Sequence, residues 1–335
     1  MFAIGRATIL HPYLDFARQI GIPWETEMQR CGLPLHARQN FDSWLPHSRM
    51  EGFIDAIVRR EPGIVFPLSS LAIDPSESLH PAMWVPLSNC GSLLWALEKL
   101  EELAVKHVTD FKSHLETQNE TLIFKFWTPT SAGTKTAGFA VQEARSCGFL
   151  INIIRRFCGD GAQFKRIFLR SQSPQAVSAL KHELGDIPVE TNASFSGAEF
   201  SRRYLSATVP PTGSTQAIEG NIDFDGDLSW KLSECLTSYI GESRPDLAFA
   251  AELVGMPPRT LQRRLAEVGT SFQETLASAL YRKALTMLME DHDLNDIALT
   301  LGYSEQSAFS RAFANWAGVS PSECRSFHMK EMENA

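Results

Sequence analysis

The sequence predicts two domains of different class. An α+β domain over residues 1–211 is followed, after a linker at 212–226, by an all-α domain at 227–329 with two helix-turn-helix units joined by a spacer helix, and a short tail at 330–335. Three observations carry this division. Helical and strand-like periodicities mix in the first 211 residues, a stretch rich in Pro, Gly, Ser, Thr and Asp interrupts them, and two later segments resemble each other. The length of 335 residues suits two domains of roughly 100–200 each. The composition, 44% hydrophobic and 21% charged, is that of a folded chain.

The opening MFAIGRATILHPYLDF lacks the basic, apolar and small-residue succession of a signal peptide. No apolar run reaches 18 residues, so the expectation is a cytoplasmic protein with no membrane partner. Cysteines 31, 90, 147, 158, 235 and 324 are scattered, without the close pairs of a disulfide framework or zinc site, and read as small buried apolar residues.

In chain order, CGSLLWALEKLEELAVKHV (Cys90–Val108) places Leu93, Leu94, Leu97, Leu100, Leu103 and Ala104 at helical spacing, with Glu98, Lys99, Glu101 and Glu102 outside. LIFKFW (Leu122–Trp127) alternates like a half-buried strand, and RIFLRS (Arg166–Ser171) and PVETNASF (Pro188–Phe195) read as further strands. GTKT (Gly133–Thr136) lacks the first glycine of a phosphate loop, Thr128 standing there, and reads as a turn. Trp84, Phe124, Phe126 and Trp127 are candidates to line an apolar cavity, and Arg49, Lys125 and His80 to meet a carboxylate, with plain core and solvated surface as the competing readings. The pocket itself cannot be assigned from sequence.

The break from Thr208 to Ser229 has linker composition. Asn221, Asp223, Asp225 and Gly226 imitate the start of a calcium loop, but Leu232 stands where the twelfth-position carboxylate belongs, so the segment reads as a turn and helix cap.

Beyond the break, Ala251 and Gly255 match Ala298 and Gly302 at an offset of 47, whereas Leu261, Arg263 and Leu265 match Phe309, Arg311 and Phe313 at 48. Each segment reads as a short helix, a glycine turn and a second helix. At 100° per residue, Leu261, Leu265 and Val268 form one stripe of the first unit's second helix. Arg259, Gln262 and Arg263 then point outward, with Thr260 on a shoulder and Arg264 at the flank. In the second unit Phe309, Ala312, Phe313 and Trp316 turn inward, while Gln306, Ser307, Ser310 and Arg311 face out, with Glu305 at the start. Arg and Gln carry paired donors and acceptors that match guanine and adenine edges in a major groove, and Ser can reach bases or phosphates. Ser304 is expected to cap the second of these helices, and Pro257-Pro258 to open the first. Between the units, Ser271–Asp291 places Phe272, Leu276, Leu280, Ala284 and Leu288 at steps of four. About 18 residues of helix extend roughly 27 Å, enough to hold two reading helices near one turn of DNA apart.

GMPPRTLQRRLAEVGTSFQE, the spacer containing YRKALTMLM, and IALTLGYSEQSAFSRAFANWAGVSPSECR together make the region from Trp230 to Phe327 resemble the DNA-binding domain of AraC/XylS-type bacterial transcription regulators. The resemblance implies that the second helix of each unit enters the major groove. Residue by residue it points to Arg259, Gln262 and Arg263, then to Gln306, Ser307 and Arg311. Two departures bear on affinity and base preference: Pro257 stands where the family usually has Ser, and Glu305 adds negative charge near phosphate unless it accepts from a cytosine amino group. The first domain is similar, through Cys31–Val58, Cys90–Leu103 and Ile187–Pro210, to the arabinose-binding-like effector domains of one AraC-type subgroup. This implies a small organic effector, not arabinose in particular.

The function expected is a ligand-responsive transcription activator that binds double-stranded promoter DNA through two successive major-groove segments. From Asp227 to Ala335, ten Lys and Arg stand against fifteen Asp and Glu, a formal charge of -5. Modest non-specific affinity follows, with greater dependence on the two reading helices, a homodimer or RNA polymerase contacts. A ligand-independent dimeric regulator and an enzyme fused to a DNA-binding domain are the alternatives. For the latter, no HExxH, GxSxG or GxGxxG motif occurs, and neither catalytic residues, metal ligands nor a cofactor is expected.

Overall fold

The computed structural model describes residues 2–61, 81–128, 136–209, 227–242 and 244–333, with backbone alone at 81–82 and 328–333. The chain divides into two compact units, one formed mainly by residues 3–42 and 47–224, the other mainly by 225–335 together with Ser43–Pro46.

The first unit is α+β. It contains a three-residue strand β1 (Ile4–Arg6), α1 (His11–Gln19), α2 (Trp24–Arg30), α3 (His47–Arg60), α4 (Pro81–Ser88), α5 (Leu93–Ala104), α6 (Ala137–Cys158) and α7 (Pro174–Leu184). A second three-residue strand, β2 (Trp44–Pro46), belongs to the other unit. Strands β3 (Lys112–Gln118), β4 (Thr121–Trp127), β5 (Phe164–Phe168), β6 (Val189–Glu190) and β7 (Ser196–Ser201) form a sheet in the order β3-β4-β7-β5-β6. All neighbours are antiparallel except β5 and β6. Helix α6, 22 residues long, lays Ala140, Ala144, Cys147, Leu150 and Ile154 into the same core as Phe124, Ala198 and Phe200.

Several strands differ from their sequence reading. β4 buries Leu122, Ile123 and Phe124, so both of its faces are covered rather than one, and β3 and β7 pair along its two edges. Edge strand β3, KSHLETQ, offers almost no apolar alternation and is held by register with β4. Past β5, which ends at Phe168, the Leu169 N–H still donates to the Glu190 carbonyl at 2.8 Å, and the Arg170 and Ser171 N–H groups then turn to the Glu143 carboxylate, at 2.5 and 3.0 Å. The expected strand at 188–195 shrinks to two residues, with Asn192 at φ +60, and the central strand is instead β7. Helix α5 matches its periodicity, capped by Ser92, whose hydroxyl accepts from the Trp95 N–H at 3.3 Å, but Leu94 faces outward.

The second unit is helical over its main segment: α8 (Leu228–Thr237), α9 (Leu247–Leu253), α10 (Pro258–Glu267), α11 (Phe272–Met289), α12 (Leu294–Thr300), α13 (Gln306–Ala317) and α14 (Pro321–Glu333). Its core joins Leu236, Ala251, Leu261, Leu265, Leu280 and Leu288 to Phe309 and Phe313. The linker, including Asn221–Gly226, and all of the GTKT turn but Thr136 lie outside the described residues. Thr136 caps α6, its hydroxyl accepting from the Phe139 N–H at 3.1 Å. No helix among the described residues is long and apolar enough to cross a membrane. All six cysteines are free; Cys90, Cys147 and Cys235 are buried and the others half-buried.

Candidate nucleic-acid interface and ligand cavity

The two repeated segments build the same turn. After α9, Gly255 takes φ +68, its N–H donating to the Glu252 carbonyl at 3.0 Å and the Met256 N–H to Ala251 at 3.0 Å. After α12, Gly302 takes φ +78, its N–H donating to Leu299 at 3.0 Å and the Tyr303 N–H to Ala298 at 2.9 Å. These paired bonds satisfy the last carbonyls of each first helix, and glycine occupies the left-handed position that a Cβ would strain.

The units part company just beyond. In the first, Pro257 is the N-cap and Pro258 the first helical residue of α10; in the second, the N-cap is Glu305 and α13 begins at Gln306. The extra residue between Gly302 and Glu305 accounts for the change of offset from 47 to 48. It also leaves Ser304 outside the cap, correcting the sequence expectation: Glu305 holds that position and no side chain caps α13. Pro257 likewise supplies no side-chain cap. The other helices of this unit do receive caps, from Asp227, Asp246, Ser271, Asp293 and, for α14, Ser320. The positive ends of these two helices therefore lack a side-chain acceptor on their first N–H groups, although at α13 the Glu305 carboxylate stands at the cap position.

Burial separates the faces of both second helices. Leu261, Leu265, Phe309 and Phe313 are fully buried. Val268, expected in the apolar stripe, is 47% exposed because α10 ends at Glu267 and Val268 is its C-cap. Ala312 and Trp316 are half-buried, the indole lying edge-on to Tyr281 at 6.4 Å. Outward stand Arg259, Gln262, Arg263 and Arg264 in the first unit, with Thr260 half-buried. Glu305, Gln306, Ser307 and Arg311 stand outward in the second, with Ser310 half-buried. Two of these side chains have internal partners that sequence reading missed. Arg263 Nε lies 3.6 Å from Glu267 Oε1, four residues on, and Ser307 Oγ donates to Glu305 Oε2 at 3.1 Å.

Spacer helix α11 spans 18 residues, about 27 Å, and starts on a reciprocal capping box between Ser271 and Glu274. Those hydrogen bonds hold the Glu274 carboxyl below its usual range. Leu280, Ala284 and Leu288 are buried as their spacing implies, while Phe272 and Leu276 are half-buried.

The first unit contains a partly open cavity of about 220 Å³. Phe124 and Phe126 from β4, with Trp127 and Phe111, form an aromatic wall; the Phe111 and Phe126 rings stack at 5.8 Å. One stripe of α6 supplies Phe139, Glu143, Ser146 and Phe149. Glu143 is buried and accepts from the Arg170 and Ser171 backbone N–H groups and the Ser196 hydroxyl. Tyr13 is fully buried, burial pushing its hydroxyl up to about 12, with the Arg145 guanidinium 6.0 Å from its ring centre. Arg170 lies over Phe139 at 5.6 Å and donates to the Thr128 carbonyl at 3.2 Å. His47 also lines the cavity, its imidazole held below the usual range by burial against the opposing pull of Glu51 and Asp110.

Of the sequence candidates, Phe124, Phe126 and Trp127 reach this cavity. Trp84 instead faces Arg156 at 5.8 Å, Arg49 donates to the Gly32 carbonyl at 2.6 Å, and Lys125 pairs with Glu116. His80 lies outside the described residues. Tyr13, Arg145 and Arg170 were missed because no local spacing links positions so far apart; the one available signal was the pair Glu143 and Arg145, charged residues set among the alanines and aliphatic residues of one long helix.

A family model described as a helix-turn-helix domain matches residues 250–326. The HTH-type transcriptional regulator VirS of Mycobacterium tuberculosis is 38% identical over 344 aligned positions, covering 96% of this chain and 96% of that protein. An uncharacterized HTH-type transcriptional regulator of the same species is 44% identical over 80 residues, and the ornithine utilization regulator of Pseudomonas aeruginosa is 34% identical over 111. These two similarities cover 24% and 33% of this chain, and only 23% and 32% of the relatives' own lengths.

Proposed function

The chain belongs to the AraC-type helix-turn-helix transcriptional regulators, which bind DNA, and we propose that it is a ligand-responsive activator reading two successive major-groove segments of promoter DNA. The repeated turn carries this reading. Two units with the same turn hydrogen bonds each present an exposed polar helix face, and an 18-residue helix joins them. The first face contributes Arg259, Gln262 and Arg263, with Thr260 and Arg264 beside them; the second contributes Gln306, Ser307 and Arg311, with Glu305 and Ser310. Bidentate arginine and glutamine contacts supply base preference, and the uncapped helix ends suit phosphate. Because residues 227–335 are formally -5, contacts to RNA polymerase or a second copy of the chain complete a stable promoter complex. The cavity in the first unit supports control by a small organic effector acting in the cytoplasm.

Footprinting on promoter DNA tests the reading. Two protected major-groove segments centred about 34 Å apart on one face of the duplex are expected. A single protected segment, unchanged by truncating Arg311, refutes it.

A further inference from the structure

The cavity of the first unit has a chemical signature of its own, and assigning it a ligand class rests on the reading of the protein as ligand-responsive. We propose that the cavity takes a small organic acid, its apolar body against the aromatic wall of Phe111, Phe124 and Phe126 and its carboxylate at the Tyr13–Arg145 end.

Size sets the scale. A dry cavity of about 150 Å³ accepts benzene, so one of about 220 Å³ holds roughly nine non-hydrogen atoms by proportion. That admits a phenyl ring or short branched chain with an acid group lying wholly inside.

Charge sets the class. Two guanidiniums, Arg145 and Arg170, line the cavity. The buried carboxylate there, Glu143, already accepts from two backbone N–H groups and the Ser196 hydroxyl, three of its roughly four acceptor sites. Its charge is spent on joining α6 to the segment after β5, so a cationic ligand would have to compete with donors already in place. Burial favours neutral His47, and Glu51 and Asp110 act on that imidazole from outside the lining, so within the lining itself the two guanidiniums outnumber the one carboxylate.

Tyr13 points the same way. Its hydroxyl is buried, and its O–H meets no acceptor among the described residues, while the Arg145 guanidinium acts on the phenol oxygen both as a donor and through its charge. With its titration pushed to about 12, it remains an O–H donor at neutral pH. A buried donor left unmatched is costly, whereas a carboxylate beside a guanidinium accepts from it strongly.

The test uses the full-length protein and three probes sharing one body of a size the cavity can hold: phenylacetate, 2-phenylacetamide and 2-phenylethylamine. Calorimetry is expected to show the acid binding at least tenfold tighter than the amide, with no binding of the amine. Arg145→Gln is expected to abolish the preference for acid over amide, and the milder Tyr13→Phe to weaken acid binding by roughly tenfold. Amide or amine binding as tight as the acid overturns the acid class while leaving ligand responsiveness in place. If none of the three binds, the class falls. The wider reading falls with it when, in addition, promoter output is unchanged by filling the cavity with Ser146→Leu in a variant that still melts cooperatively.

Discussion

The two helix-turn-helix units share a turn and differ in almost everything the turn presents. Helix α10 packs through two leucines, Leu261 and Leu265, and exposes four polar or basic side chains between Arg259 and Arg264. Helix α13 packs through Phe309 and Phe313 within an aromatic cluster, Phe313 lying 5.5 Å from Tyr281 and 5.8 Å from Phe309, and exposes one arginine. The matched arginines also differ in setting. Arg263 faces Glu267 one turn on, whereas the position one turn after Arg311 is Asn315. Backbone geometry is thus shared between the copies while core chemistry and reading chemistry are free to diverge, because the turn is set by main-chain bonds and one glycine, and the faces by side chains.

The largest effect that sharpens this contrast is in the cores. Phe313→Ala is expected to destabilise the protein by about 3–5 kcal/mol, and Leu265→Ala by about 2–5 with a smaller measured value, since only the phenylalanine also loses ring neighbours. Thermal and urea unfolding of the full chain decides; a larger loss for Leu265→Ala breaks the contrast.

DNA reading comes next. Arg263→Ala and Arg311→Ala should each cost about 1–3 kcal/mol and relax base preference in opposite halves of the site. Arg264→Ala should instead weaken binding evenly across sequences and lower the salt slope by about one. Selection of binding sites from random DNA reads both, and loss of preference in the same half for Arg263→Ala and Arg311→Ala would falsify the assignment of one helix to each half.

Smaller still is the tether on Arg263. Glu267→Asn, which copies the second unit's Asn315, should tighten DNA binding by roughly 0.5 kcal/mol, because an exposed pair at four residues' spacing is worth no more than that. The gain should fade in high salt; a gain that persists there has another cause.

The least is a pH effect in the helix joining the units. Glu274 is held below its ordinary 4.5 by its bonds to Ser271 and Thr270. Its folded-state value is depressed, so its contribution is present above 4.5 and disappears as the pH falls further. Glu274→Gln keeps a capping partner and should remove this part of the acid sensitivity in melts below pH 4.5 without altering the neutral melting temperature much.

Much of the second unit was legible because its information is local. Helical spacing, a glycine at each turn and an offset of 47 or 48 are all written within a hundred residues. The same locality explains the errors there: the extra turn residue moved the cap from Ser304 to Glu305, and the helix stopped before Val268, both decided by where the backbone bonds begin and end. In the first unit the sequence determined that strands and helices mix and that α5 and β4 exist, since apolar periodicity marks them. Only tertiary structure decided that β7 is the central strand, that β4 and β5 pair with it on either side, and that Tyr13, Glu143, Arg145 and Arg170 meet around one cavity. Pairing between distant strands is specified by register and burial rather than by local pattern. A cavity, likewise, is made of residues whose only common property is where the folded chain has brought them.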